Sequence, residues 1–392
     1  MKLRLFDYQN VSFSSNVIYL YLNRLLSQIG IGIYGVFGVI FFFEKFGNSL
    51  KDVLLLFGIL YLIFFFTTHL GAKFIYLIGM KKLMMIATLF LALTTYALFM
   101  WNDNPFLYLL MFCLGLIIYK MFYWIPYHVE FAEFTSQKNR GKQIAALSNI
   151  SEGIMAVLPI IGGFILAREG YEILFLVATV LIFLSIVPLF FMKETKERYT
   201  WSFFKLIKEF FSKKTRTTVV SNFANGVQDG VGTIIWPIFI FVLLKGDYLF
   251  VGAITTLTIV ALIILRFAVG GAVDRLGEKK VLNMGSIFYT SGWLIKIFVE
   301  TGTGIFLSHT YHNFGKVVNQ VSFDSTVYDQ AADNGHFVDE FTVLKESSLL
   351  LGKGLLLLVA ISVIGLFGVT ATFVIAAVAS LLMSLASKRV SI

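Results

Sequence analysis

The chain has 392 residues, of which 58% are hydrophobic and 14% are charged, and its formal net charge is +9. Soluble domains carry about 25% charged residues, so this composition excludes an ordinary soluble protein. A basic chain could bind nucleic acid, but the lysines and arginines are concentrated in alternate loops between apolar runs, so no nucleic-acid partner is expected. The single cysteine, Cys113, excludes an intramolecular disulfide and a cysteine-based metal site.

Apolar runs of about 20 residues, the length that crosses a bilayer, recur along the whole chain. Twelve candidate spans lie at about 17–43, 51–76, 82–101, 105–128, 143–167, 171–192, 217–244, 248–272, 280–299, 302–328, 342–365 and 368–386. Between the last two spans, only Gly365 and Gly368 mark a turn. The first run is longer than the apolar part of a signal peptide and is interpreted as a retained helix. The sequence therefore predicts an all-α membrane protein with twelve transmembrane helices.

The basic residues of the loops are distributed unequally between the two sides of the membrane. If the N-terminus is placed inside, only Lys45, Lys51, Arg168 and Lys245 fall in the outer loops. Cytoplasmic loops of membrane proteins carry the excess of lysine and arginine. The pattern therefore predicts cytoplasmic N- and C-termini and a multi-pass protein of the cytoplasmic membrane.

Residues 1–192 and 217–392 are predicted to form two similar six-helix bundles. The segment QIGIGIYGVFGVIFFFEKFG, from Gln28, aligns with QDGVGTIIWPIFIFVLLKGD, from Gln228. Because each unit has six spans, the repeats share one orientation, as in transporters that work by alternating access. The connection 193–216 alternates aromatic residues with lysines, and this pattern predicts a cytoplasmic amphipathic linker on the inner leaflet.

The most specific motif lies between the eighth and ninth spans, where the chain reads GGAVDRLGEKK from Gly270 to Lys280. It resembles the cytoplasmic-loop signature of the major facilitator superfamily, Gly-x-x-x-Asp-Arg-x-Gly followed by basic residues. After the fourth span, Pro126 to Glu130 and a following Arg140-Gly-Lys resemble two further elements of that family. The first-half copy of the loop, GAKFIYLIGMKK from Gly71, lacks the Asp-Arg pair.

This resemblance implies the superfamily fold and solute transport by alternating access. It also implies a set of gating residues on the cytoplasmic side. These are Gly270, Asp274, Arg275, Gly277, Lys279, Lys280, Glu130 and Arg140.

In the superfamily the first, fourth, seventh and tenth helices surround a central cavity. Polar residues at helical spacing form stripes on the same four spans of this chain. The candidate substrate-binding residues are Arg24, Gln28, Lys120, Tyr123, Trp124, Tyr127, Asn225, Trp236, His312, Lys316 and Asn319. The aromatic members could stack on a ring-bearing substrate, or they could pack as a cavity wall.

Charged residues near the bilayer centre are costly, so they are expected to face a cavity and to have partners. Lys120, Lys316 and Lys353 fall near mid-depth together with one carboxylate, Asp229, and Arg24 lies slightly inward of them. This surplus of positive charge favours an anionic substrate. In the alternative, Lys120 or Lys316 pairs with Asp229 and only locks the halves together.

The acidic residues of the spans are candidates for proton coupling. Asp229 is the first candidate, because movement of a lysine partner would change its protonation. Glu152 and Glu346 occupy equivalent positions in the two halves, where they either carry protons or stabilise a gate with Arg140. Lys296 lies near a helix end and is expected to extend to the membrane surface.

The favoured function is secondary active transport of a small organic anion, driven by protons. The sequence has no Walker A motif, which argues against direct ATP drive. Two alternatives are a drug or metabolite exporter with a large aromatic cavity and a membrane sensor or scaffold that transports nothing. The sequence shows no catalytic constellation, so an enzyme is not expected, and neither is a metal or cofactor. The expected partners are a small solute, the bilayer and protons, and the chain is expected to function as a monomer.

Overall fold

The computed structural model describes residues 14–134, 140–196, 199–276, 278–333 and 338–383. Side chains are described at 14–127, 130, 151–196, 199–265, 284–318 and 340–383. Over these ranges the chain is helical and forms no strand. The helices are α1 Ser15–Lys45, α2 Leu50–Ile78, α3 Met80–Phe99, α4 Pro105–Phe134, α5 Arg140–Leu184, α6 Val187–Phe190, α7 Phe203–Phe210, α8 Arg216–Gly230, α9 Trp236–Leu243, α10 Tyr248–Leu276, α11 Glu278–Ile295, α12 Gly302–Asp333, α13 Val338–Phe367 and α14 Thr370–Met383.

Local sequence sets several helix boundaries. Ser14 and Ser49 cap α1 and α2 by accepting hydrogen bonds from backbone N–H groups three residues later. Gly170 has a φ of 79°, which breaks α5 into two segments between the fifth and sixth predicted spans. Gly368, with a φ of 81°, separates α13 from α14 at the predicted turn. Such φ values favour glycine because it has no Cβ.

Eight stretches of the described helices are long and apolar enough to cross a membrane. Many of their large apolar side chains are exposed, as expected for surfaces that face lipid. The chain is therefore an α-helical protein with several membrane-spanning helices. The total of twelve spans and the cytoplasmic position of the termini remain predictions.

The connection between the predicted halves contains one short helix, α7. Ser202 caps it by accepting a hydrogen bond from the N–H of Lys205. Leu206 and Phe210 are buried, whereas Phe204 is 85% exposed, so the helix has one buried and one exposed face. The segment before α7 contacts both halves. Thr195 donates a hydrogen bond to Glu130 of α4, and Thr200 donates one to Glu340 of α13, at 2.6 Å.

The predicted halves pack closely at the end of the bundle that carries the predicted outer loops, which we call the outer end. It carries the turns at 46–49, 100–104, 244–247, 299–301 and 368–369. Here α5 crosses α10, and glycines bring the two backbones together. A Cβ on Gly163 would lie 2.5 Å from the carbonyl oxygen of Tyr248. A Cβ on Gly252 would lie 2.3 Å from the carbonyl oxygen of Pro159, so neither position has room for a side chain.

A second contact between the halves, between α2 and α13, is built in the same way. A Cβ on Gly58 would lie 2.8 Å from Leu358, and one on Gly354 would lie 2.9 Å from Leu62. We call the two glycine-mediated crossings, α5 with α10 and α2 with α13, the outer seal. It closes the space between the halves at the outer end.

Glu44, at the end of α1, forms hydrogen bonds that bridge the two halves at the outer seal. Its carboxylate oxygens accept from the hydroxyls of Tyr171, in the first half, and Tyr248, in the second, each at 2.6 Å. Hydrogen bonds to a charged acceptor are shorter and stronger than neutral ones. Glu44 therefore links the halves at the outer end.

Replacing Glu44 with glutamine should weaken the outer seal. Each lost charge-assisted bond is worth about 1.5–3 kcal/mol, so we expect the population open at the outer end to rise by about tenfold or more. Spin labels on cysteines at Asp103 and Thr303, with Cys113 replaced by serine, would report this as a longer distance between labels. Lys45→Gln, next to Glu44, is the matched control. An unchanged distance distribution in Glu44→Gln would contradict this role.

Candidate functional site

A partly buried ion cluster lies around Asp229 of α8, beside the crossing of α2 with α13. The Nζ of Lys353, on α13, lies 2.5 Å from Asp229 Oδ2, and the Nζ of Lys316, on α12, lies 3.8 Å from Asp229 Oδ1. The side chains of Asp229 and Lys316 are 25% and 36% exposed, whereas that of Lys353 is only 8% exposed. One carboxylate therefore interacts with two lysines, of which Lys353 is the nearer and the more buried.

The backbone next to Asp229 departs from a regular α-helix. Residues 231–235 form a π-helical segment between α8 and α9, and Pro237 follows it. Proline has no N–H to continue the helical hydrogen bonds, and π-helical segments are frequent at functional sites. The hydroxyl of Thr233 donates to the carbonyl oxygen of Asp229 at 2.7 Å. The irregular segment therefore begins two residues after the carboxylate.

Lys353 also connects the two halves. Its Nζ lies 4.7 Å from the ring centroid of Tyr61, on α2, and 3.5 Å from the Tyr61 hydroxyl. An ammonium over an aromatic face is held by the ring quadrupole. The Asp229 cluster is therefore joined to the first half where α2 and α13 cross.

Arg24 and Lys120 form a second cationic group on the opposite half. The guanidinium of Arg24 lies 4.6 Å from the ring centroid of Trp124 and 5.4 Å from that of Tyr127. The Nζ of Lys120 lies 4.8 Å from the centroid of Trp124. Among the described residues, no carboxylate forms a salt bridge with either cation. Aromatic faces, rather than carboxylates, hold these two charges.

Tyr123 supports this group from behind. It is fully buried, and its hydroxyl donates to Asn23 Oδ1 at 2.8 Å. Asn23 in turn donates to the carbonyl oxygen of Ser185 at 2.7 Å. Tyr123 therefore packs inside the first half, and its own ring stacks against the ring of Tyr127.

The two cationic groups are neighbours, and we call the region between them the shared space. Lys120 is within electrostatic range of Asp229, Lys353 and Glu346. Glu346 is half-buried on α13. The structure thus brings together Arg24 and Lys120 from the first half and Asp229, Lys316 and Lys353 from the second.

Four other predicted substrate-binding residues have described side chains, namely Gln28, Asn225, Trp236 and His312. Gln28 is half-buried on α1. Asn225 is buried and accepts a hydrogen bond from Gln228 at 2.8 Å, so its amide oxygen is already used within α8. Trp236 and His312 are buried in a separate cluster around Lys296.

Lys296 differs from its sequence prediction. The prediction was that it extends to the membrane surface, but its side chain is only 1% exposed. It lies between the rings of Trp236 and Trp293, and these hold it inside the second half. The expected surface position is therefore wrong for Lys296.

The structure describes only some residues of the predicted cytoplasmic gate. Glu130 is buried and accepts the hydrogen bond from Thr195, and Glu152 is half-buried on α5. The side chains of the remaining gating residues, and of Asn319, lie outside the described residues. These are Arg140, Gly270, Asp274, Arg275, Gly277, Lys279 and Lys280.

The sequence predicted Lys353 as one of the mid-depth cations but not as a partner of Asp229, and it predicted no role for Tyr61 or Glu44. For Lys353 a signal existed, because it is a lysine at mid-depth in an apolar run. No spacing rule connects Tyr61 with Lys353 or Glu44 with Tyr248, because each pair joins distant parts of the chain.

Comparison with known proteins concerns the family and the fold of the chain. Residues 20–227 match the family model described as Major Facilitator Superfamily. The uncharacterized protein YqgE of Bacillus subtilis (strain 168) is 25% identical over 246 residues. That match spans 59% of this chain and 56% of the length of that relative, little more than half of each.

Solved structures resemble the chain over nearly its whole length. The D-xylose-proton symporter has a TM-score of 0.70 at 14% identity, covering 95% of this chain and 96% of that one. The human organic anion transporter MFSD10 (TETRAN) has a TM-score of 0.69 at 15% identity, covering 95% and 98%. A POT family transporter in complex with 5-aminolevulinic acid has a TM-score of 0.70 at 12% identity, covering 94% of each chain.

At these identities the structural likeness establishes the fold alone. The family model matches residues 20–227, which are more than half of the 392 residues. The chain therefore belongs to the major facilitator superfamily.

Proposed function

We propose that the protein is a secondary active transporter that moves a small organic anion across the cytoplasmic membrane, coupled to protons. The observation that carries the proposal is the charge balance of the shared space. Four cations, Arg24, Lys120, Lys316 and Lys353, lie around it. Among the described residues, Asp229 salt-bridges Lys316 and Lys353, and Glu346 lies within electrostatic range of Lys120, so the cations outnumber these two carboxylates. An anionic substrate would supply the missing negative charge.

The coupling rests on competition for the same lysines. While Asp229 is ionised, it holds Lys353 and Lys316. When Asp229 takes up a proton, both lysines are released and can bind a carboxylate or phosphate of the substrate. Proton and anion would then bind together and move together. Glu152 and Glu346 are further candidates for carrying protons.

Substrate recognition would use both halves. Arg24 and Lys120 would bind the anionic group from one side, and Lys316 from the other. Trp124 and Tyr127 present ring faces beside these cations and would contact the carbon skeleton. Tyr123 would hold this wall in place from within the first half.

The transport cycle follows from the two-half organisation. We propose twelve helices, with bundles at 1–192 and 217–392 joined by the linker 193–216, and with both termini cytoplasmic. With the outer seal closed, the site would open toward the cytoplasm. The halves would then rock to open the outer end, as parallel repeats do in alternating access. Glu130, Arg140 and the loop from Gly270 to Lys280 would gate the cytoplasmic side in a protein that functions as a monomer.

A second candidate function is export of a drug or metabolite. The aromatic wall of Trp124 and Tyr127 favours it, since ring faces bind flat, hydrophobic compounds. The structural neighbours include both a D-xylose-proton symporter and an organic anion transporter, so likeness of fold does not choose between solutes. The cation surplus makes us favour the anion. A sensor or scaffold of the same fold would bind a solute and move none.

A thermal-shift screen of the purified protein tests the substrate class. We expect stabilisation by one or a few carboxylates or phosphate esters, because a specific ligand stabilises the state that binds it. Lys120→Gln should weaken that stabilisation by about tenfold in apparent affinity, since one charge-assisted contact is lost. Lys45→Gln, at the exposed outer end, is the matched control and should leave it unchanged. Hits confined to neutral or cationic hydrophobic compounds would contradict the anion and support the exporter.

A further inference from the structure

A second buried cation lies inside the second half, apart from the Asp229 cluster. Lys296 follows α11 and is almost completely buried. Its Nζ lies 4.1 Å from the ring centroid of Trp236 and 4.2 Å from that of Trp293. Two indole faces therefore enclose the ammonium from two sides. Cation–π contacts replace only part of the hydration that a buried ammonium loses.

The surroundings of Lys296 contain several polar atoms without partners. Trp236 and Trp293 each have a buried indole nitrogen that makes no hydrogen bond, and His309 and His312 each have such an Nδ1. An indole N–H can only donate, and an ammonium can only donate. The cluster therefore combines one buried cation with two unsatisfied donors and two imidazoles that can also donate.

No counter-charge for this cluster is found in the part of the chain whose side chains are described. Among the described residues, no carboxylate pairs with Lys296, and the charged side chain that acts on it is another lysine, Lys316. Lys353, the other deeply buried lysine of this half, has Asp229 at 2.5 Å. Both lysines are buried in the same half, yet only Lys353 has an acidic partner among the described residues.

The two histidines complete one side of the cluster. His312 is buried, and its ring centroid lies 4.4 Å from that of Trp293. His309 lies parallel to His312, with its centroid 5.6 Å from that of Trp236. The four rings and the ammonium thus form one contiguous group drawn from α9, α11, α12 and the turn after α11.

We propose that Lys296, Trp236, Trp293, His309 and His312 form a binding site for a small monovalent anion, of the size of a halide or formate. The ammonium supplies the charge, and the indole and imidazole nitrogens supply hydrogen-bond donors. The site lies next to the proposed substrate site, since Lys316 acts electrostatically on both, but the proposal does not depend on the proposed function. Its occupant would neutralise a charge inside the second half while the halves rock.

Tryptophan fluorescence tests this site directly, because iodide and bromide quench indoles. At constant ionic strength, set with gluconate, sodium iodide should give a saturable quench on top of the linear, collisional one. Because shielded indoles alone can also make the total quench level off, only the part of the saturable component that formate removes at constant ionic strength reports binding. Formate should compete with the saturable component. A strictly linear quench in the wild-type protein would overturn the proposal without any variant.

Variants assign the saturable component to Lys296. Lys296→Met should weaken the apparent iodide affinity by about tenfold or more, since the anion loses its charged partner. Lys296→Arg keeps the charge and should restore most of it, which guards against a folding defect in Lys296→Met. Lys45→Gln should match the wild type. Saturable quenching that persists unchanged in a folded Lys296→Met would overturn the assignment.

A competition experiment distinguishes binding of a free small anion from binding of the transported substrate at this site. Competition by formate, with none by larger carboxylates, supports a small-anion site. Competition only by the compound that stabilises the protein in the thermal-shift screen would overturn it and make the cluster part of the substrate path. Loss of substrate stabilisation in Lys120→Gln leaves the iodide result unaffected, so the two proposals fail separately.

Discussion

Replacing Asp229 with asparagine should abolish proton-driven accumulation of the substrate while leaving exchange of substrate for substrate. Asparagine keeps the size of aspartate but cannot take up and release a proton. It also leaves Lys353 and Lys316 without their carboxylate partner. Since no proton can then bind at this position, proton-driven uptake should fall to the level measured without a proton gradient. Exchange in proteoliposomes needs no net proton movement and should continue.

The pair of assays separates coupling from folding. Lys45→Gln should behave as the wild type in both, and substrate stabilisation of Asp229→Asn in the thermal-shift assay should remain. If Asp229→Asn accumulated substrate against its gradient as well as the wild type does, Asp229 would not be the coupling residue. Glu152 and Glu346 would then be the next carboxylates to test.

Replacing Gly163 with valine should hold the outer end open and stop transport. The Cβ at this position would lie 2.5 Å from the carbonyl oxygen of Tyr248 and 3.3 Å from the Cα of Leu249. Both obstacles belong to the backbone of α10, so a side-chain movement cannot relieve the clash. Overpacking of this kind costs about 1–3 kcal/mol, enough to shift the balance by about 5- to 150-fold toward the state open at the outer end.

Spin labels at Asp103 and Thr303, as used for Glu44→Gln, should report a longer distance in Gly163→Val. Gly35→Val is the matched control, because a Cβ on Gly35 meets nothing within 4 Å. Transport should fall at least about tenfold in the first variant and remain in the second. A Gly163→Val protein with wild-type distances and wild-type transport would mean that the outer seal does not govern the cycle.

Much of the fold can be predicted because hydrophobicity and helix punctuation are local properties. The predicted breaks at Gly170 and Gly368 coincide with positive φ values, where glycine is favoured. The charged residues that share the central space were also on the predicted stripes or at mid-depth. Helical spacing shows which side chains share a face. The free-energy cost of burying a charge indicates that a charged side chain at mid-depth has charged or polar neighbours.

The pairings could not be predicted in the same way. Spacing left Lys120 or Lys316 as the partner of Asp229, yet Lys353 lies nearer, at 2.5 Å. That distance depends on how closely α8 approaches α13, where Gly226 of α8 meets the carbonyl oxygen of Leu349. Lys296 illustrates the same limit. Its position near a helix end indicated the surface, but two tryptophans from different helices enclose it.

Uptake into proteoliposomes tests the central claim most directly. The purified protein is reconstituted with a pH-sensitive dye inside, and the anion identified by thermal shift is added outside with an inward proton gradient. We predict accumulation of the anion above its outside concentration, internal acidification that depends on the anion, and collapse of both on adding a proton ionophore. A protein that binds the anion but does not move it, or that moves only neutral or cationic compounds, would contradict the account.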